Sequence, residues 1–165
     1  MIIWIMGVSG SGKTTTANIL NKVLHKENKT TYIIDGDEFR KKFFGDLGYS
    51  LKDRRENIKR TIIYACAIEP YYDVVIIANI HPFEDLRHMA KASFNAYKQV
   101  YLKISQSIAV KRSKIGYLYN EAGELVGRDL EFEISSLNDV EISTISNDFN
   151  MVKKILEDWL INEKI

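Results

Sequence analysis

The glycine-rich run at residues 7–14, which reads Gly-Val-Ser-Gly-Ser-Gly-Lys-Thr, has the spacing of a phosphate-binding P-loop. Its glycines allow the backbone to turn successive N–H groups inward, which forms a concave nest for phosphate oxygens. Lys13 can reach terminal phosphates as a positive charge, and the Thr14 hydroxyl suits Mg²⁺. We therefore expect this loop to bind a nucleoside triphosphate. The predicted binding residues are Gly7, Ser9, Gly10, Ser11, Gly12, Lys13, Thr14 and Thr15.

The segments beside this loop favour a real P-loop over a chance glycine-rich turn. An apolar run at residues 2–6 precedes it and a helix-like segment follows, so the order is strand, turn, helix.

The loop alone does not specify the reaction. Neither Asn-Lys pair, at residues 21–22 and 28–29, has Asp two residues after the lysine, so a guanine-reading GTPase is not supported. A motor ATPase is not supported either, because the apolar run 74–78 ends in Asn79 rather than in Asp.

A second chemical group, two carboxylates and a guanidinium, occupies residues 33–40, which read Ile-Ile-Asp-Gly-Asp-Glu-Phe-Arg. We expect this block at the carboxyl end of the second strand, beside the P-loop strand, where ligands bind in such sheets. Asp35 and Asp37 flank a glycine, so one can face Mg²⁺ while the other takes a proton from an acceptor hydroxyl. Arg40 can hold an anionic substrate. An ordinary strand-ending turn is the alternative, because turns favour Asp and Gly for local reasons.

Apolar runs alternate with helix-like segments along the chain. This alternation predicts an α/β fold of three layers, in which helices cover both faces of a parallel five-stranded sheet. The run at 74–78 is continuously apolar, as expected of a central strand, and Asn147-Asp148 can cap the last helix. The predicted strands are 2–6, 32–34, 74–78, 100–104 and 142–145, and the predicted helices are 13–27, 52–68, 82–96, 107–112 and 150–162.

Length and composition predict a single domain over residues 1–165. A net charge of +1 gives no reason to expect a nucleic-acid polymer as partner, and no stretch approaches the roughly 20 apolar residues of a membrane span. Cys66 is the single cysteine, so no internal disulfide forms and a cytoplasmic location fits. The irregular segment 113–137 is interpreted as a mobile lid over the nucleotide, with a disordered connector as the alternative.

A third block carries a resemblance to a known family. Residues 46–50 read Asp-Leu-Gly-Tyr-Ser, and residues 53–57 read Asp-Arg-Arg-Glu-Asn. With the P-loop and the Asp-Gly-Asp block, these motifs resemble the adenylylsulfate kinase family, which has Asp-Leu-Gly-Phe-Ser and Asp-Arg-x-Glu-Asn in the same order. Tyr49 stands in place of the family's Phe. The resemblance is strong through about Arg60 and weaker from there to the C-terminus.

The resemblance implies transfer of the γ-phosphoryl group from Mg·ATP to the ribose 3′-hydroxyl of a small nucleotide. Asp37 would be the base or hydroxyl-orienting group, Lys13 would act on the phosphates, and Asp35 would organise the Mg²⁺ side together with Thr14. The family also suggests a homodimer. The residues implied to hold the acceptor are Asp37, Arg40, Tyr49, Arg54, Asn57, Ile80, His81 and Lys114.

Departures from the family pattern cluster near the acceptor and the lid. The family usually has Phe-Ile-Ser-Pro after the third strand, and residues 79–82 read Asn-Ile-His-Pro. His81 could bond the substrate or cap the next helix, and Arg87 could also face the acceptor. In the lid, the aromatic residue that the family uses against adenine is replaced by Leu or Val at 125–126. Cations that could close onto ATP remain at Arg112, Lys114 and Arg128.

Four functions remain open on the sequence. Adenylyl sulfate is slightly favoured as the acceptor, because the acceptor-side set is present. A cytidine diphosphate conjugate such as cytidine diphosphoramidate is the first alternative. A non-catalytic ATP-binding regulator is opposed by the retained Asp35 and Asp37. A sugar or shikimate-like kinase has no use for the aromatic Tyr49 beside Arg54 and Asn57.

Overall fold

A parallel sheet of five strands forms the middle layer of the computed structural model, which describes residues 1–112, 131–146 and 148–165. The order across the sheet is β2-β3-β1-β4-β5, and every neighbouring pair is parallel. The predicted α/β fold with a five-stranded sheet is confirmed. The strands are β1 (Ile2–Met6), β2 (Thr31–Asp35), β3 (Val74–Ala78), β4 (Tyr97–Lys103) and β5 (Val140–Ser143).

Helices cover both faces of the sheet, which gives the three predicted layers. On one face Leu20 and Leu156 lie in one hydrophobic core with alternate strand residues, and on the other face Ile58 and Leu86 do the same. The side chains of β1 and β3 are buried along their whole length, because parallel strands in such a sheet are covered on both sides. The helices are α1 (Lys13–Lys26), α2 (Gly36–Phe43), α3 (Leu51–Ile68), α4 (Glu84–Ser93), α5 (Gln106–Arg112) and α6 (Phe149–Glu163), with a 3₁₀ turn at Glu69–Tyr71.

The position of β2 corrects one expectation. The sequence predicts that the Asp35 strand lies beside the P-loop strand, but β2 pairs with β3, and β3 pairs with β1. The connection through α1 therefore skips one strand position, and the continuously apolar β3 fills it. A continuously apolar strand is most stable at an interior position of the sheet, because both of its faces are then removed from water.

Helix α2 was not predicted. The sequence around Asp35 reads equally as a turn and as a helix N-terminus, because both use Asp at the first position. In the structure the Asp35 side chain accepts hydrogen bonds from the backbone N–H groups of Asp37 and Glu38, at 3.1 and 3.3 Å. The sequence carried a usable signal, namely acidic residues in the first turn and Arg40, Lys41 and Lys42 in the last turn.

The predicted lid, residues 113–137, is described only over 131–137; residues 113–130, with Lys114 and Arg128, lie outside the described residues. Over that part, the Glu133 N–H donates to the Pro82 carbonyl at 3.1 Å, and Phe132 stacks on Tyr101 with 5.7 Å between ring centroids. The lid role therefore stays a prediction.

Asp148 caps α6, as predicted. Within the described ranges no helix has the length and apolarity to cross a bilayer.

Candidate active site

The P-loop connects the end of β1 to the start of α1. Gly12 sits at the helix N-cap with φ of +91°, a left-handed conformation that favours glycine. A Cβ on Gly7 would lie 2.8 Å from the Leu102 carbonyl oxygen, so the loop passes too close to β4 for a side chain there. No side chain caps the N-terminus of α1, and its first turn contains no acidic residue. Its free N–H groups and helix dipole therefore remain available to an anion.

Lys13 is held at the rim of this anion site. Its Nζ donates a hydrogen bond to the Val8 carbonyl at 2.9 Å. Burial lowers the pKa of Lys13 to about 8, although the nearby Asp37 and Asp35 carboxylates act in the opposite direction. Burial disfavours the charged form of Lys13 in the free protein. A phosphate ligand would stabilise that charged form, because its negative charge replaces the hydration that burial has removed.

Thr14 and Asp35 form an oxygen-rich pair next to the loop. The Thr14 hydroxyl donates to Asp35 Oδ2 at 2.6 Å, while the other carboxylate oxygen caps α2. Hydroxyl and carboxylate oxygens are ligands that Mg²⁺ prefers. This pair could therefore supply two ligands to the ion, with water and phosphate oxygens at its other coordination positions. In the described portions of the chain no group of three or more His, Cys, Asp or Glu side chains is placed to hold a metal.

A cavity of about 720 Å³ opens over the P-loop, and a smaller one of about 30 Å³ lies beside it. The larger cavity is lined by P-loop residues 9–14, by Thr15, and by both Asp35 and Asp37. The lining of the two cavities has three residues in common, Asp37, Asn79 and Ile80. The smaller cavity is lined by Gly36, Asp37, Arg40, Tyr49, Arg54, Asn57, Asn79, Ile80 and Pro82.

Two arginines and one tyrosine form a cationic wall in the smaller cavity. The guanidinium carbons of Arg40 and Arg54 lie 4.8 and 5.5 Å from the centre of the Tyr49 ring. Both arginines are buried, and burial lowers the pKa of each guanidinium. Asn57, also buried, lines the same wall, and its Oδ1 has no hydrogen-bond partner in the part of the chain that is described. The structure thus brings together Arg40, Tyr49, Arg54 and Asn57, which were predicted from separate motifs.

His81 and Arg87 are placed away from both cavities. The His81 ring is fully buried against Trp4, with 4.4 Å between ring centroids, and it lines neither cavity. Its alternative role as a helix cap is wrong, because Phe83 is the N-cap residue of α4 and the Glu133 carboxylate accepts the hydrogen bond from the Glu84 N–H at the start of that helix. Arg87 is fully buried and bonds Glu84 and two backbone carbonyl oxygens. Neither side chain is in the lining of either cavity, and contact of either residue with an acceptor stays a prediction.

Arg112 lines the larger cavity, as expected of a residue near the triphosphate. Its guanidinium donates to the carbonyl oxygens of Thr144 and Ile145 at 2.6 and 2.7 Å, so it ties α5 to the segment after β5. Asn79 is a polar residue in the lining of both cavities that the site prediction omitted. The sequence signal was a polar residue directly after an apolar central strand, the position where ligands bind in parallel sheets.

Comparison with known proteins gives a consistent answer. Residues 1–143 match the family described as adenylylsulphate kinase. An adenylyl-sulfate kinase of Burkholderia ambifaria is 39% identical over 70% of this chain and 65% of its own length. One of Pseudomonas entomophila is 35% identical over 99% of this chain and 81% of its own length.

Among solved structures, an APS kinase of Mycobacterium tuberculosis in complex with AMPPNP and APS superimposes with a TM-score of 0.82. The superposition covers 97% of this chain and 96% of the other chain at 24% sequence identity, and it shows that the two proteins share a fold. The family predicted from the motifs is therefore confirmed: this chain belongs to the adenylylsulphate kinase family.

Proposed function

We propose that this protein transfers the γ-phosphoryl group of ATP to the ribose 3′-hydroxyl of adenylyl sulfate. The observation that carries the proposal is the meeting of two cavities at Asp37. One is walled by the P-loop and is large enough for a nucleoside triphosphate, and the other is walled by buried arginines. A phosphoryl donor and an anionic acceptor would thus meet at a carboxylate. The adenylyl-sulfate kinases among the relatives support this acceptor.

The donor side holds the triphosphate through charge and backbone N–H groups. The N-terminus of α1 and the Lys13 ammonium would bind the β- and γ-phosphates. Thr14 and Asp35 would hold Mg²⁺, which supplies charge neutralisation on the phosphates when bound. Catalysis of this kind depends mainly on positioning and electrostatic stabilisation, which this arrangement provides.

The acceptor side would hold the nucleotide by its anionic end and its base. Arg40 and Arg54 face the smaller cavity, where a phosphate or sulfate oxygen would meet two partly desolvated cations. Tyr49 would present its ring to the base. With its anionic end and base held in this way, the ribose would lie toward the junction with the donor cavity, where Asp37 lies.

The chemical step is an in-line displacement at the γ-phosphorus. The 3′-hydroxyl oxygen forms a bond to phosphorus, and the bond from that phosphorus to the oxygen bridging it to the β-phosphate breaks, which releases ADP. Asp37 accepts the hydroxyl proton as the new bond forms. Lys13 remains on the phosphates throughout and offsets their negative charge.

A coupled assay of ADP release with Mg·ATP and a panel of acceptors tests the proposal. The panel contains adenylyl sulfate, cytidine diphosphoramidate, CDP, shikimate and gluconate. We expect saturable turnover with adenylyl sulfate alone. Turnover with a cytidine nucleotide instead would keep the transfer chemistry and overturn the acceptor. ATP binding without turnover on any acceptor would favour a non-catalytic regulator. A homodimer and a cytoplasmic location stay predictions.

A further inference from the structure

Asn79 occupies the junction of the two cavities. It directly follows β3, and its side chain is 5% exposed. Of the three residues shared by both cavity linings, Ile80 has no polar side-chain atom, so Asp37 and Asn79 supply the polar side chains there. Asp37 offers a carboxylate that accepts protons and hydrogen bonds. Asn79 is the candidate for the complementary donor.

The orientation of the Asn79 amide follows from its hydrogen bond with Trp4. The indole Nε1–H of Trp4 lies 3.0 Å from Asn79 Oδ1. An indole N–H can only donate, so the amide oxygen must point at Trp4 and the amide nitrogen must point away from it. That nitrogen, Nδ2, is buried and has no hydrogen-bond partner within the described residues. A buried donor left unpaired is costly, so an acceptor atom of a ligand in the adjoining cavity would stabilise it.

The backbone around Asn79 holds this amide next to the Asp35–Asp37 segment. In the sheet, Asp35 on β2 pairs with Ala78, the residue before Asn79. The next residue, Gly36, comes so close that a Cβ added to it would lie 2.2 Å from Asn79 Cβ. The start of α2 and the Asn79 side chain are therefore packed against each other, and neither can shift without moving the other.

We propose that Asn79 positions the acceptor hydroxyl by donating a hydrogen bond from Nδ2 to its oxygen. A hydroxyl has one proton to donate and two lone pairs. Its proton points to Asp37, one lone pair accepts from Asn79, and the second lone pair attacks the γ-phosphorus. The proton passes to Asp37 as the oxygen–phosphorus bond forms, and ADP leaves with the electron pair of the broken bond. This inference depends on the proposed phosphoryl transfer.

The test compares the acceptor nucleotide with its 3′-deoxy analogue, which lacks only that hydroxyl. Dissociation constants are measured by calorimetry in the presence of a non-hydrolysable ATP analogue. For the wild-type protein we expect the hydroxyl to improve binding about 100-fold, about tenfold for each of its two hydrogen bonds, to Asp37 and from Asn79. In Asn79→Leu the bond to Asp37 remains, so the preference for the hydroxyl compound should fall about tenfold without vanishing, and turnover should fall about 100-fold with the KM for ATP unchanged.

Two further variants make the result specific. Gln99→Leu removes another buried amide with unpartnered side-chain atoms, but Gln99 lines neither cavity, so the hydroxyl preference should stay as in the wild type. Asn79→Asp keeps an oxygen that accepts the hydrogen bond from the Trp4 indole, but it lacks the amide N–H donor. It replaces Asn79→Leu if thermal melting shows that the leucine variant is unfolded. It should show the same reduced hydroxyl preference.

An Asn79 variant that keeps both the wild-type hydroxyl preference and full turnover overturns the inference. A variant that melts normally, loses turnover and retains the wild-type preference also overturns it, because the amide then acts elsewhere. Failure of the proposed function is a separate result: the wild-type protein itself would then turn over no nucleotide acceptor.

Discussion

Asp35 connects two parts of the site through the two oxygens of one carboxylate. Oδ1 accepts from the backbone N–H groups of Asp37 and Glu38 and so caps α2, while Oδ2 accepts from the Thr14 hydroxyl. The cap fixes where Asp37 lies, and the Thr14 bond fixes the carboxylate against the P-loop. A single side chain thus positions the expected Mg²⁺ ligands and the expected base relative to each other.

Replacing Asp37 by Asn tests its role as the base. The amide is nearly the same size but cannot accept the hydroxyl proton, so turnover should fall about 100-fold or more while ATP affinity stays near that of the wild type. Asp46→Asn makes the same change at an exposed carboxylate that lines neither cavity, and its turnover should be normal. Steady-state kinetics and ATP titration measure both. Unchanged turnover in Asp37→Asn would remove Asp37 as the base.

The lowered pKa of Lys13, about 8, predicts a pH dependence of ATP binding. Below that pH the ammonium is charged in the free protein and affinity does not depend on its titration. Above it the free lysine is neutral, so binding must take up a proton, and affinity should weaken by up to about tenfold per pH unit. Calorimetry at pH 9 in two buffers of different ionisation enthalpy measures this uptake. Lys13→Arg, which does not titrate here, should show none.

At the scale of elements, the junction of β2 and α2 determines the geometry of the acceptor side. Strand β2 ends at Asp35 and α2 begins at Gly36, with no intervening loop. Because β2 pairs with β3, this junction lies directly against the residue that follows β3. Gly36 and Asn79 approach each other closely, and both line the smaller cavity.

Gly36→Ala should therefore disturb the junction. The added Cβ would lie 2.2 Å from Asn79 Cβ, and overpacking of this kind costs about 1–3 kcal/mol of stability. The matched control is Gly45→Ala, where an added Cβ meets no atom within 4 Å. Its stability should change little or increase slightly. Urea unfolding measures both free energies, and equal stability of the two variants would contradict the close packing.

On the scale of the whole molecule, Arg87 joins its own helix and the loop before it to a segment that lies 46 residues away in the chain. From α4 it donates to the Glu84 carboxylate at 2.6 Å, to the His81 carbonyl at 2.5 Å and to the Glu133 carbonyl at 2.6 Å. The side chain is fully buried. Arg87 therefore holds the loop after β3, which walls the acceptor cavity, against the segment that follows residue 130.

Arg87→Met should destabilise the protein by about 3 kcal/mol, because it leaves buried carbonyl oxygens and a partly buried carboxylate without their donor. The control is Arg55→Met, which removes an exposed ion pair between Arg55 on α3 and Asp85 on α4, the helix that carries Arg87. This change should lower the free energy of unfolding by at most about 1 kcal/mol. Chemical unfolding of both variants measures the difference. Similar losses would show that the Arg87 contacts contribute no more than a surface ion pair.

The Arg87 contribution should also depend on pH. Partial burial opposes ionisation of Glu84, but hydrogen bonds from Arg87 and Ser136 prevail and lower the pKa of that carboxyl. A carboxyl whose pKa is lowered on folding stabilises the protein above its usual pKa and loses that contribution as pH falls through the lowered value. The stability difference between the wild type and Arg87→Met should therefore shrink in acid. A difference that stays constant would contradict a charged pair.

Local patterns were sufficient for the parts of this protein that depend on neighbouring residues. The P-loop, the bounds of β1 and β3 and the Asp148 cap follow from spacing and residue type within a few positions, since strand, turn and cap preferences are short-range. The motifs also indicated the family, the fold class and the kinase class, which the comparisons confirm. Helix α2 was missed because Asp-Gly has the same local preference for a turn and for a helix start.

Tertiary packing decided the rest. No short-range pattern states that β3 lies between β1 and β2, that His81 lies buried against Trp4, or that Trp4 orients the Asn79 amide. Residues 4 and 79 come together only when β1 and β3 pair in register. The sequence alone therefore determined which chemical groups are present and which elements carry them. Their partners and directions were decided by the folded structure, because burial and long-range pairing select one arrangement among many with the same local pattern.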